Sequence, residues 1–297
     1  MSVASCAANV ADSVRRSFAF SVDKFPLSGP DGMRTPFYGL FRSDNSQAVG
    51  PAVHAGYEPH TVEDVAALAE AAVIALDNFG SDAKVTCQFT GHSHNVIVRP
   101  SDDYRRSIFG TADNIFPRFI IDAGYGTCFR ATLGMYRDVC KNLAIARDVR
   151  ETNVAIRHTN ALRDKIDDLV TMFRGLDGKF DAVFSIAAKL EEKETDLASF
   201  IASVYPMPEN ATDRTRKIVE HRAEAIVRRI IREREATGRN SRSLESGTLW
   251  EAVNAITGYV QHDKKRHGAP TIHQRALMGI EDADTTRAWD LAMSLAS

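Results

Sequence analysis

Between residues 134 and 159 the chain reads GMYRDVCKNLAIARDVRETNVAIRHT, which places Arg137, Cys140, Asn142 and His158 in stretches that otherwise pattern as buried strand and helix. A cysteine attacks only as its thiolate, so it needs a neighbouring base or a positive field. In such a centre His158 is the base, Asn142 the orienter and Arg137 the field. Cys140 also closes a strand-like apolar run, where a free cysteine is commonly a small core residue. No catalytic residue is assigned on this pattern, and whether the chain is an enzyme stays open, with binding favoured.

Histidine offers a second chemistry. In GHSH, His92 and His94 are two apart and share one face of a strand. With His158 and His262 they are the candidate ligands of a divalent metal, in a hydrolase or nuclease whose metal makes bound water nucleophilic. No carboxylate stands at a recognisable metal spacing, and outside this alternative no cofactor is expected. The bland alternative is a pair of hydrogen-bonded or exposed histidines beside a hairpin turn.

A third chemistry is nucleic-acid binding. A groove for a single strand needs a cation for each phosphate and a flat ring for each base. Arg99, Arg118, Arg130, Arg137, Lys141 and Arg147 are the candidate phosphate partners, and Tyr125, Phe129 and Tyr136 the candidate stacking platforms. The ordinary counter-reading makes half of these rings core and the arginines solvated charge. The formal net charge is -2, so binding must use a local patch. Residues 213–235 are richer still in arginine, but Glu224 stands four before Arg228, the spacing of a solvated helix pair. The next loop adds Arg239 and Arg242 as candidate phosphate contacts. Neither G-x-x-x-x-G-K-[ST] nor G-x-G-x-x-G occurs.

The elements that must position these groups follow from local signals. The 297 residues are 44% hydrophobic and 26% charged, enough for a core without disulfides or metals. Residues 1–34 are expected to form a weak N-terminal arm, 35–150 an antiparallel α+β core, and 151–297 a helical region packed on it. TPFYGLFRSD, a turn at Ser46-Gln47 and AVGPAVHAGY suggest strand, turn, strand. Thr61 caps a helix over VEDVAALAEAAVIALDNFG, with Glu63 and Asp64 in its first turn. KVTCQFTG and HNVIVRP make a hairpin around Gly91; a second pair of strands flanks Gly124 and Gly126. Beyond residue 150 the apolar spacing turns to three and four, including a stripe of Val219, Ala223, Ile226, Val227, Ile230 and Ile231. The fold class is therefore α+β, an antiparallel sheet with one early helix and a helical C-terminal half. Cys6, Cys87, Cys128 and Cys140 include no C-x-x-C pair and suit free thiols in a reducing compartment. No apolar run approaches about 20 residues, so a cytoplasmic location without membrane contact is expected.

MYRDVCKNLAIA, IRHT at 156–159 and TLWEAVNAITGYVQHD at 248–263 together resemble the domain of unknown function 932 family of prophages, plasmids and genomic islands. The resemblance runs over roughly residues 35–296. Its recurring polar positions match Arg137, Cys140, Asn142, His158, Asn254, Thr257 and His262. The chain departs from the family pattern at DAGYGTCFRATL, where an aspartate-glycine turn is expected. Its layout is similar to phage single-strand annealing proteins, an analogy of fold alone. With the basic and aromatic interleaving, that layout suggests a mobile-element protein that binds single-stranded DNA, with annealing or recombination as its role; one chain offers only a short groove, so a homo-oligomer is expected. The metal-dependent hydrolase or nuclease, and a structural or anti-defence protein of a phage or plasmid, are the alternatives. In TLWEAVNAITGYVQH, Thr248 caps a helix, and Asn254 and Asn142 have a second interpretation as structural latches.

Overall fold

The computed structural model describes residues 3–75, 83–100, 106–107, 114–137, 143–144, 154–174, 177–239, 243, 245–264 and 283–297. The fold is α+β, with antiparallel sheets and a helical C-terminal half. In chain order its first elements are α1 (Val3–Ser17), β1 (Val22–Ser28), β2 (Arg34–Arg42), β3 (Val53–His54), α2 (Val62–Ala75), β4 (Lys84–Phe89), β5 (Ser93–Arg99), β6 (Arg106–Ser107), β7 (Asn114–Gly124), β8 (Phe129–Arg137), β9 (Leu143–Ala144) and β10 (Val154–Ile156). Then follow α3 (Leu162–Arg174), α4 (Asp177–Glu192), β11 (Glu194–Asp196), α5 (Leu197–Val204), α6 (Asp213–Thr237), β12 (Ser246–Thr248), α7 (Leu249–Gly258), a π-helical turn (Tyr259–Asp263) and α8 (Ala283–Ala296). Two compact units divide the chain: residues 1–104, 117–133 and 151–179 form one, and 105–116, 134–150 and 180–297 the other. No described helix is long and apolar enough to cross a membrane.

The first unit holds strands in the order β10-β8-β7-β5-β4, all antiparallel where the register is defined. One face is apolar: Val96 and Val98 of β5, Phe119 and Ile121 of β7, and Phe129 and Ala131 of β8 are buried. Against this sheet pack α1 at β4, α2 at β5 and α3 at β10. The weak arm expected over residues 1–34 is instead α1 and β1. Cys6, Ala7, Val10, Ala11 and Val14 recur at helical spacing and are all buried, and the alanines let α1 approach the alanine-rich α2 closely. Thr61 caps α2 as expected: its hydroxyl accepts from the Asp64 amide at 3.2 Å while the Asp64 carboxylate accepts from the Thr61 amide at 2.6 Å. The first hairpin is β1 with β2, and the return limb expected after Ser46 meets β2 only at Phe41–Ala48 and as the two-residue β3. Pro51 interrupts it, and Gly126 has to pass that ring: a Cβ there would lie 2.4 Å from Pro51, and its φ is +74°.

In the second unit α6 runs from an N-cap at Thr212 to a left-handed Gly238. Its Ile226 and Ile230 are buried, with α7 and α8 adding Trp250, Val253, Ile256 and Trp289. Thr248 and Glu251 form a full capping box at the start of α7, and β11 pairs with β12.

Candidate functional site

The open face of the first unit's sheet gathers cations by register. Lys84 of β4 lies opposite Arg99 of β5. Val98 lies opposite Phe119 of β7, so the next step brings Arg99 against Arg118. Three cations thus form one cross-strand row. Arg130 of β8 lies opposite Ala155, near Asp122, whose carboxyl is pushed up by burial against the opposing pull of Ser93, Arg130 and His92. Lys84, Thr86 and Gln88 are exposed on this face, and Arg99, Arg118 and Arg130 are half-buried. Asp122 is the one acid this face carries among the described residues of β4, β5, β7 and β8.

The remaining members of the expected nucleic-acid site do not join this row. Tyr125 is 1% exposed and Phe129 is 0% exposed, so neither offers a face to a base. Tyr125 stacks instead on His60 at 4.2 Å, and Phe129 meets the same ring edge-on at 5.5 Å. Arg137, in the second unit, is 2% exposed, and its guanidinium is bound to Glu233 and set 5.8 Å over Trp250. A side chain so buried and ion-paired is unavailable to phosphate. The Tyr136 side chain, Lys141 and Arg147 lie outside the described residues, as do Cys140 and Asn142 of the nucleophile hypothesis and Arg242 of the loop.

The histidines regroup. Gly91 (φ +86°) and His92 form the two-residue hairpin loop, so His92 is exposed and outside β5, not on one strand face with His94. His262 is exposed in the second unit. What gathers is a chain of three buried rings: His158 Nε2 to His60 Nδ1 at 3.0 Å, and His60 Nε2 to His94 Nδ1 at 3.1 Å. Tyr57 stacks on His158 at 4.7 Å. Burial lowers all three pKa values: His60 falls well below its ordinary value, helped by the other two rings, and His94 and His158 fall to about 4. Arg42 adds to the shift at His94, while the Thr127 backbone and Asp64 oppose it at His158. Neutral imidazoles donate one N–H each, so the two bonds run in one direction along the chain. His60 spends one nitrogen on each neighbour, which makes a seam and not a cage. Among the described residues no group of three or more His, Cys, Asp or Glu converges for a metal.

His60 escapes sequence reasoning. Its signal is position: it precedes the N-cap Thr61, where a side chain folds back over the first turn. Beside it opens a cleft of about 700 Å3 lined by Phe18, Phe20, His60 and Tyr125 with Arg15, Lys24, Glu58 and Glu63. Its cations are already engaged: Arg15 binds Glu63 and Asp12, and Lys24 Nζ donates to the Ala55 and Tyr57 carbonyls.

Two polar residues of the C-terminal motif are buried in α7. Asn254 and Thr257 are 0% exposed, and Asn254 Nδ2 donates to the Trp250 carbonyl one turn back at 2.8 Å. The helix-face arginines of α6 are only partly the solvated kind. Arg228 does pair with Glu224 at 3.6 Å, but Arg229 and Arg234 are buried, tied to Asp263 at 3.2 Å and to Glu251 at 3.1 Å. A Cβ at Gly258 would lie 1.9 Å from Arg229 Nε, so glycine is required there. Arg239, expected in the loop as a phosphate contact, pairs with Glu191 at 2.7 Å.

A family model described as Domain of unknown function (DUF932) matches residues 123–290. No curated protein and no solved structure matches the chain.

Proposed function

We propose that this chain, which belongs to the DUF932 family, binds single-stranded nucleic acid on the open face of the first unit's sheet. The observation that carries this reading is the row Lys84, Arg99, Arg118. Directly opposed side chains in a sheet stand about 5 Å apart, so the row concentrates positive charge at a spacing a strand's phosphates can follow. A polyanion laid across it releases its own counterions. The half-buried Arg130 extends the patch beyond the row. A role in pairing strands for a mobile element is the finer form of the same proposal. The metal-hydrolase reading has no comparable support, because of its four histidines only His94 and His158 are brought together, each through its bond to His60.

The test is anisotropy of a labelled single-stranded oligonucleotide over a salt series, with duplex as control. Three cations predict a log–log salt slope of about -2 for a single strand, and Lys84→Ala with Arg99→Ala should lower its magnitude by about 1.4. Unchanged affinity and slope in that double variant would place the site elsewhere; absence of binding at low salt would refute the proposal itself.

A further inference from the structure

We infer that β4 is an assembly edge, at which a second copy of this chain adds its own β4 antiparallel to form one continuous sheet. β4 ends the strand order of the first unit. The hairpin geometry fixes which of its backbone groups face outward. Thr90 N donates to Ser93 O across the two-residue loop, so 90 and 93 are a hydrogen-bonded pair. Such pairs alternate. Thr86 and Gln88 therefore bond to β5, whereas Val85, Cys87 and Phe89 aim N–H and C=O away from it. Among the described residues those outward groups bond to nothing.

Natural sheets protect such edges. Among the described residues β1 and β10 are protected and β4 is not. β1 carries Pro26 and a bulge between Pro26 and Ser28. β10 is three residues long. β4 has six residues, an unbroken register and no proline, with an exposed polar side and half-buried Val85, Cys87 and Phe89 on the other.

The occupant is a second copy because the edge complements itself. About a two-fold axis normal to the sheet, with Thr86 opposite Thr86, Val85 meets Cys87 of the other copy and Lys84 meets Gln88. Each opposed pair is then on one face, no like charges meet, and the outward groups of Val85 and Cys87 exchange hydrogen bonds. The same axis keeps both cation rows on one side of the joined sheet. The assembly itself does not depend on the nucleic-acid proposal; only its use, a longer track for a strand, rests on it.

The experiment is done without nucleic acid, so its failure is separate from failure of that proposal. Thr86→Cys in a Cys87→Ser background should link the two copies through a disulfide at position 86 under mild oxidation, identified by peptide mapping. Gln88→Cys in the same background should not, because the two copies' positions 88 stand roughly 13 Å apart at about 3.3 Å per residue. Cys87→Pro deletes one outward N–H without touching the bonds to β5. It should sediment as a monomer at concentrations where the wild type dimerises, with unchanged circular dichroism. A wild type that stays monomeric, a Thr86→Cys variant that does not link, or linking at 88 equal to that at 86 would each overturn the inference.

Discussion

Unfolding free energy is expected to fall by about 4 kcal/mol between about pH 7 and about pH 5 through His94 and His158 alone, with His60 adding in the same direction. The folded-state pKa values of His94 and His158 are about 4, against the ordinary 6.5. Between those values the unfolded chain binds protons that the folded chain refuses. Stability from the chain of rings is therefore complete above about 6.5 and is lost as the pH falls toward 4. Each histidine contributes up to about 1.4 kcal/mol per pH unit in that window. Urea titrations at a series of pH values should give a slope above one proton between about pH 6.5 and 4.5; a slope of one or less would sink the account. His60→Leu supplies the control. It leaves His94 Nδ1 and His158 Nε2 without their bonds, costing about 2–4 kcal/mol at neutral pH. It also removes the central titrating ring, so its pH slope should be shallower than the wild type's.

That seam shows where sequence reasoning stops. His94 and His158 stand out because histidine is rare, yet His60 lies 34 residues before one and 98 before the other. Only the packing of α2 on β5 brings it between them. Local signals fare better: the Thr61 and Thr248 caps and the Gly91 turn each depend on a few neighbouring residues, and each is where it is expected. The expected nucleic-acid site fails at one step that period-two alternation already forbids. Phe129 and Arg130 are adjacent on a strand, so they face opposite sides and cannot serve one bound strand together. Lys84 is missed for the complementary reason. Its exposure follows from alternation, but its place beside Arg99 and Arg118 is a matter of register across three strands.

Glu233→Gln is expected to cost about 3–5 kcal/mol, because it strips the Arg137 guanidinium of its carboxylate inside the second unit. Arg137 is too buried for water to compensate. Arg137→Ala should cost a similar amount by stranding Glu233, whose other cation is Arg229 at 3.4 Å. Replacing both at once, as Arg137→Met with Glu233→Leu, should recover most of the loss, since apolar pairs commonly match buried ion pairs in stability. Thermal or urea unfolding of the wild type, Arg137→Met, Glu233→Leu and the double variant completes the cycle, and additive single losses would show that no coupled pair exists. The same variants separate structure from binding. If Arg137 served phosphate, its loss would flatten the salt dependence of strand binding as loss of Lys84 and Arg99 does. Buried and paired as it is, its removal should lower the folded fraction and leave the salt slope of the folded molecules unchanged.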